Sequence, residues 1–175
     1  PITYVNRLFR ATPKKIAGFK MFASHNGTAR QYVLESRNIA KIILTRNHID
    51  TYISNQRARM TGEWVNRVSQ GRRKKDDSDL KIPFLPEVFE VHRQKAIEIQ
   101  QEYAACEAFT KQSFIRIAYE EVAQLEPVRL LARKLGSTAE PETLVPTLKK
   151  QITRPLEEIV ENFDEMQRYL AKTAG

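Results

Sequence analysis

The chain has 175 residues, of which 41% are hydrophobic and 29% charged, a composition that is typical of a globular protein and excludes a disordered or fibrous one. Lysine and arginine outnumber acidic residues by 29 to 21, and the formal net charge of +8 favours partners that carry phosphate or sulfate. The single cysteine, Cys106, excludes an internal disulfide and a cysteine-based metal cluster, and no window approaches the roughly 18 apolar residues of a membrane span. We expect a single domain over 1–175, with no transmembrane segment and a cytoplasmic location.

Two short apolar runs near the N-terminus predict buried strands. Residues 16–23 read IAGFKMFA, and residues 40–45 read AKIILT, which is rich in β-branched side chains. The segment GTARQYVLESRN between them favours a short helix. The order strand, helix, strand predicts a parallel βαβ unit.

The hydrophobic period changes after Arg46, which indicates that a strand leads directly into a helix. Asn47 can cap this helix, and Asp50 falls in its first turn. The apolar residues of one helix face are Ile49, Tyr52, Ile53 and Met60.

The rest of the chain predicts a loop, two further helices around a third strand, and a last helix. Residues 65–86 lack a period and contain RRKKDDSD, which predicts a mobile loop, and residues 86–111 carry the apolar stripe of a long helix. SFIRIAYEEV from Ser113 predicts a third strand, PVRLLARKLG predicts a helix that ends at Gly136, and 155–172 predicts the last helix. We therefore expect an α/β protein with a small parallel sheet covered by helices.

Arg46 and Ser54 together suggest an anion site. In an open parallel sheet, ligands bind beyond the carboxyl ends of the strands, where the next helix presents unpaired N–H groups. A guanidinium binds a phosphate bidentately, and a hydroxyl donates one more hydrogen bond. The alternative is that Arg46 is a solvated residue after a strand and Ser54 a neutral helix residue, and the spacing alone does not decide between them.

The segment KIILTRNHIDTYISNQRARMTGEW resembles the 3′-phosphate-binding segment of sulfotransferases, most closely the bacterial carbohydrate sulfotransferases of the nodulation, lipopolysaccharide or glycolipid type. The resemblance extends to IAGFKMF, to FIRIAYEEV and to LKKQITRPLEEIVENFDEM. It implies a P-loop-like parallel sheet flanked by helices in three layers. It also implies that Arg46 and Ser54 hold the 3′-phosphate of 3′-phosphoadenosine 5′-phosphosulfate, whose sulfuryl group passes to a hydroxyl of a carbohydrate or glycolipid. The product is 3′-phosphoadenosine 5′-phosphate, and the chemistry requires no metal.

The sequence departs from the family's pattern at the N-terminus. The first strand and the glycine loop that would hold the 5′-phosphosulfate are not found, and HNGTAR comes nearest to such a loop. The loop either lies upstream of Pro1, which we expect, or is truly absent. The second possibility leaves an alternative function, a non-catalytic module that binds nucleotide, acidic glycan or nucleic acid. Nucleic acid is not expected, because no nucleic-acid motif is recognisable.

Four further residues are candidates for the donor or acceptor site. By resemblance, His25 is the general base that deprotonates the acceptor hydroxyl, although an exposed loop histidine has the same signature. Lys20, predicted inside a buried strand, either reaches a ligand phosphate or emerges at the sheet edge. Tyr119 packs near the nucleotide or in the core. Lys150, in a basic group before the last helix, closes on the 3′-phosphate or is solvated.

The remaining histidines favour structural roles. His92 is predicted to be a packed residue of the long helix and His48 a helix-start residue. Residue types do not define the acceptor or the oligomeric state.

Overall fold

The computed structural model of the protein describes residues 1–11, 13, 16–64, 79–122, 124–138 and 154–173. Its helices are α1 (Ile2–Arg10), α2 (Gly27–Glu35), α3 (His48–Thr61), α4 (Pro86–Thr110), α5 (Tyr119–Val122), α6 (Leu125–Lys134), α7 (Leu156–Ile159) and α8 (Phe163–Thr173). Its strands are β1 (Ile42–Thr45) and β2 (Ile115–Ala118). Helix accounts for 61% of the structure. This mixture is compatible with the predicted α/β class, but the described residues form neither three layers nor a P-loop fold.

The two strands pair in parallel, and their register runs from Ile42 opposite Ile115 to Thr45 opposite Ala118. Ile43 and Ile117 are each 8% exposed and form the buried side of the pair. The chain between the strands contains α3 and α4, as a parallel crossover requires. The predicted strands at 40–45 and after Ser113 are therefore confirmed, with shorter bounds.

The strand predicted at 16–23 was wrong. Residues 16–22 have no regular structure, so the predicted N-terminal βαβ unit is not formed. The Phe19 ring instead contacts the Phe9 ring of α1, with 5.4 Å between centroids, and Phe22 remains 52% exposed. An apolar run becomes a strand only where a neighbouring strand completes its hydrogen bonds, and none of the described segments pairs with this one.

The described residues fall into two compact units, 1–45 with 97–144 and 46–96 with 145–175. The first unit contains the sheet, and its core is Leu34, Ile43 and Phe114, with Tyr103 and Cys106 packed against them. Cys106 is thus one of the packed side chains of α4, as its place in the predicted stripe indicates.

The second unit has a larger, aromatic core. Tyr52 of α3 is 1% exposed, and its ring centroid lies 5.9 Å from that of Phe84 and 5.5 Å from that of Phe89. Its hydroxyl accepts a hydrogen bond from the backbone N–H of Leu85 at 3.1 Å. The other buried members are Ile49, Ile53, Ile82, Ile159, Val160 and Met166. The predicted apolar face of α3 is therefore confirmed for its first three members, while Met60 is 52% exposed.

A short parallel bridge joins Ile82 to Val160 inside the second unit. The backbone N–H of Ile82 donates to the carbonyl of Ile159 at 2.8 Å, and that of Glu161 donates to the carbonyl of Ile82 at 3.0 Å. This pairing interrupts the single helix predicted over 155–172, which is instead divided into α7 and α8. The loop predicted over 65–86 lies outside the described residues from 65 to 78, and its last part enters the core at Ile82 and Phe84.

The Asn47 cap and the Gly136 helix end are as predicted, and Gly62 ends α3 without having been predicted to do so. The backbone N–H of Ile49 donates to the Asn47 side chain at 2.9 Å, so Asn47 caps α3. At the other end, Gly62 has φ of 73°, a left-handed conformation that glycine adopts readily. Gly136 follows α6 with φ of 79° and ends that helix in the same way.

Candidate functional site

Arg46 lies between a strand and a capped helix, as predicted. It follows Thr45, the last residue of β1, and precedes Asn47, the N-cap of α3. The Arg46 side chain is half-buried. The cap fixes where α3 begins, so the position of Arg46 relative to the helix is set by the backbone and by the Asn47 hydrogen bond.

Ser54 lies on α3, seven residues beyond the cap and on the same side of the helix as Asn47, because seven residues make about two turns. Its side chain is half-buried. The helical rise places Ser54 about 10 Å along the axis from Asn47. A phosphate that contacts both Arg46 and Ser54 therefore lies along the first two turns of α3, and the arginine must extend along the helix to reach it.

Lys20 and His25 come together around Phe22. The Lys20 ammonium lies 4.6 Å from the centre of the Phe22 ring, and the His25 ring meets the same ring edge-on at 5.1 Å. The Phe22 backbone N–H donates to His25 Nδ1 at 3.3 Å. Both predicted residues are exposed, and the buried strand position predicted for Lys20 was wrong because this segment forms no strand.

Tyr119 is the first residue of α5 and follows Ala118, the last residue of β2. It is half-buried. Lys150 lies outside the described residues, as does its neighbour Lys149. Arg154, the third member of that basic group, is described: its Nη2 donates to the carbonyl of Leu80 at 3.5 Å, a contact internal to the second unit.

The predicted residues divide between the two units. Lys20, His25 and Tyr119 belong to the first unit, and Arg46 and Ser54 to the second. Within the first unit, Lys20 and His25 come together against the same Phe22 ring. The sequence-based pairing of Arg46 with Ser54 stays a prediction.

A group of basic side chains was missed by the sequence reasoning. His92 of α4 is half-buried, and its pKa is lowered first by burial and then by the positive charges of His48 and Arg59 of α3. The His92 ring lies 6.1 Å from the Tyr52 ring. The signal was present in the sequence, because His48, Tyr52 and Arg59 are spaced by four and seven residues and so share one helix face.

An open groove of about 450 Å³ lies beside α7 and α8 in the second unit. Its charged lining residues are Lys81, Glu157, Glu161, Asp164, Glu165 and Arg168. Four carboxylates against two cations make it a poor host for a phosphate-bearing donor. None of the predicted site residues lines this groove, so it is not the candidate donor site.

Among the described residues, no group of three or more His, Cys, Asp or Glu side chains is placed to hold a metal ion. None of the described helices is long and apolar enough to cross a membrane. No family model, curated protein or solved structure matches this chain. The relationship to sulfotransferases therefore rests on the sequence segments quoted above and stays a prediction.

Proposed function

We propose that the protein is a sulfotransferase that transfers a sulfuryl group from 3′-phosphoadenosine 5′-phosphosulfate to a hydroxyl of a carbohydrate or glycolipid. The observation that carries this proposal is the position of Arg46, directly between a parallel strand and a side-chain-capped helix that bears Ser54 two turns later. This is the arrangement that the resemblance to the family's 3′-phosphate segment requires.

The two residues that would hold the 3′-phosphate, Arg46 and Ser54, have distinct roles, and we call this pair the phosphate clamp. The Arg46 guanidinium supplies two parallel donors and a permanent positive charge, which suit the doubly charged 3′-phosphate. The Ser54 hydroxyl donates one further hydrogen bond. By resemblance, Lys20, Tyr119 and Lys150 make additional contacts to the nucleotide. The formal net charge of +8 also favours an anionic donor.

The proposed transfer is an in-line displacement. The acceptor oxygen forms a bond to the donor sulfur as the bond from sulfur to the 5′-phosphate oxygen breaks, and 3′-phosphoadenosine 5′-phosphate leaves with the electron pair. By resemblance, His25 takes the proton of the acceptor hydroxyl at Nδ1, and the hydrogen bond from the Phe22 backbone N–H to that atom opens for it to do so. The remaining task of the protein is to align the two reactants and to stabilise the charge that develops on the leaving phosphate.

Calorimetric titration of the full protein with 3′-phosphoadenosine 5′-phosphate tests the clamp. Arg46→Ala should weaken binding by at least about tenfold, because a bond between charged partners contributes about 1.5–3 kcal/mol, and Ser54→Ala should weaken it less. Arg37→Ala is the matched control, since Arg37 is an exposed arginine in the other unit. Absence of binding, or equal affinity in the Arg46 and Arg37 variants, would contradict the proposal.

The second candidate is a non-catalytic nucleotide-binding module, the alternative that remains if the loop for the 5′-phosphosulfate is truly absent. Gly62 and Gly136 end helices, Gly27 is the first residue of α2, and Gly18 lies in a segment without regular structure. None of these four joins a strand to a helix, as a loop that holds the 5′-phosphosulfate would. Nucleotide binding with the expected Arg46 dependence, but no transfer of radiolabelled sulfuryl groups to any hydroxyl, would support the module over the enzyme.

A further inference from the structure

Three basic side chains form a group in the second unit that the proposed nucleotide contacts do not use. His48 and Arg59 lie on α3 and His92 on α4. Burial lowers the pKa of the His92 imidazole, and His48 and Arg59 of α3 lower it further. A neighbouring positive charge disfavours protonation of an imidazole, and an anion bound beside it offsets that effect.

The α3 residues of this group form one stripe. His48, Tyr52 and Arg59 are separated by four and seven residues, so their side chains share a helix face. The His92 ring meets the Tyr52 ring at 6.1 Å between centroids and at 65° between planes. Because Tyr52 is 1% exposed, His92 is held against a fixed part of the core. We call His48, Arg59 and His92 the basic face.

The basic face has no hydrogen-bonding or ion-pairing partner within the described part of the chain. Neither the imidazoles of His48 and His92 nor the Arg59 guanidinium forms a hydrogen bond or ion pair there. By contrast, Arg93, the neighbour of His92 on α4, is paired with Glu90 at 2.6 Å. Half-buried imidazoles normally have partners, so His48 and His92, which have none there, together with the exposed Arg59 guanidinium, are suited to an anionic ligand.

The length of the basic face limits what the ligand can be. His48 and Arg59 are eleven residues apart on one helix, which corresponds to about 16 Å between their backbone positions. One phosphate or sulfate ion cannot contact both ends. A chain-like ligand with several anionic groups can.

We propose that the basic face binds an acidic oligosaccharide whose successive sugars carry carboxylate or sulfate groups. The choice of a carbohydrate rests on the proposed function, in which a glycan is the acceptor. Nucleic acid is the rival polyanion, but single-stranded binders stack bases on aromatic side chains, and Tyr52, the ring that contacts this face, is 1% exposed and cannot do so.

Binding to the basic face should depend on pH. The charged groups that face His92 from α3 are His48 and Arg59, and on α4 the adjacent Arg93 is neutralised by Glu90. Without ligand, burial first and the neighbouring His48 and Arg59 next disfavour protonated His92. A bound anion favours the imidazolium, so the ligand binds more tightly where His92 can take up a proton. Affinity should therefore be higher at about pH 5.5 than at about pH 7.5.

Calorimetric titration with a heparin hexasaccharide, in the absence of nucleotide, tests this proposal. Arg59→Gln should weaken binding about tenfold, as expected for the loss of one charge-assisted interaction. For the variant His92→Gln, the affinity should change less between the two pH values than it does for the unaltered protein. Arg37→Gln, an exposed arginine of the first unit, is the matched control and should bind as the unaltered protein does.

The controls separate this proposal from its alternatives. Arg59 is exposed, so Arg59→Gln and the charge reversal Arg59→Glu remain informative even if the His92 variant does not fold. Equal affinities of the Arg59 and Arg37 variants, or tighter binding of a hexanucleotide that depends on the same residues, would overturn the proposal. The Arg59 variants should bind 3′-phosphoadenosine 5′-phosphate normally. If the nucleotide does not bind but the hexasaccharide still does, the proposed sulfotransferase function is contradicted and the proposed oligosaccharide site is not.

Discussion

Asn162 and Phe84 are joined by two hydrogen bonds although they lie 78 residues apart in the sequence. The Phe84 backbone N–H donates to Asn162 Oδ1 at 2.8 Å, and Asn162 Nδ2 donates to the Phe84 carbonyl at 2.9 Å. A side-chain amide thus satisfies the backbone groups that a neighbouring strand would otherwise satisfy. This contact continues the backbone pairing between Ile82 and Val160.

We expect Asn162→Ala to destabilise the protein by about 1–3 kcal/mol, because it leaves a donor and an acceptor beside the core without partners. Asn162→Asp keeps the acceptor but turns a carboxylate oxygen towards the Phe84 carbonyl and the Glu165 carboxylate, to which Asn162 Nδ2 donates, so it should destabilise at least as much. Urea denaturation measures both, with Asn38→Ala as the control because Asn38 is exposed in a turn. A loss in the Asn162→Ala variant no larger than that in the control would show that the two bonds contribute nothing.

Because of the ion pair between Glu107 and Arg116, the stability of the protein should depend on pH in the acid range. The Arg116 hydrogen bonds, and next that from the Phe114 backbone, lower the pKa of Glu107 to about 2. Since this lies below the unfolded value of about 4.3, the contribution is fully present above that value and is lost as the pH falls towards about 2. Glu107→Gln should therefore lower stability at neutral pH and flatten its decline in acid.

Thermal denaturation of the unaltered protein and of the Glu107→Gln variant, between neutral pH and about pH 2, measures how their stabilities depend on pH. Glu120→Gln, at an exposed position in α5, provides the comparison. Parallel curves for the Glu107 variant and the unaltered protein would refute the predicted role.

Gly62 should be sensitive to substitution for backbone reasons alone. Its φ is 73°, and a Cβ added there meets no atom of the described residues within 4 Å, so Gly62→Ala introduces strain without a clash among them. We expect a loss of about 1 kcal/mol in urea denaturation. Gly18→Ala is the matched control, because it also meets open space but lacks a positive φ. If both variants lose equal stability, the left-handed cap is not the cause.

His25 is predicted to act in catalysis and not in nucleotide binding. Under the proposed function, His25→Gln should lower kcat by about 10²–10⁴-fold, the usual contribution of a general base, while the Kd for 3′-phosphoadenosine 5′-phosphate stays the same. Steady-state transfer of radiolabelled sulfuryl groups, together with calorimetry, measures the two quantities. An unchanged kcat would show that a group other than His25 removes the proton of the acceptor hydroxyl. A weakened Kd would instead point to a nucleotide contact.

The elements that were predicted correctly carry local signals. The β-branched run before Arg46 and the Asn47 cap define β1 and the start of α3 from neighbouring residues alone. Helix α1 was not predicted, because its nine residues include β-branched and aromatic side chains that do not favour a helix on their own. The division between α7 and α8 was also missed, since it depends on pairing with Ile82, far away in the sequence.

In the candidate site, too, positions encoded by neighbouring residues were predicted correctly, and positions that depend on distant pairing were not. Arg46 was predicted correctly at a junction of strand and helix because both elements are encoded locally. Lys20 was placed wrongly because its strand would have needed a partner. Ile82 and Phe84 were assigned to an aperiodic loop. However, Leu80, Ile82 and Phe84 alternate with Lys81 and Pro83, and alternation of this kind is typical of a short strand.

The bridge between Ile82 and Val160 has a consequence for the order of folding. The aromatic core around Tyr52 is assembled from segments on both sides of a long stretch of chain, so its contacts have high sequence separation and form slowly. During synthesis, Phe84 and Phe89 leave the ribosome well before the residues of α8 that cover them. A nascent chain that stalls before Val160 therefore carries an uncovered aromatic surface, a ready substrate for chaperones or for aggregation.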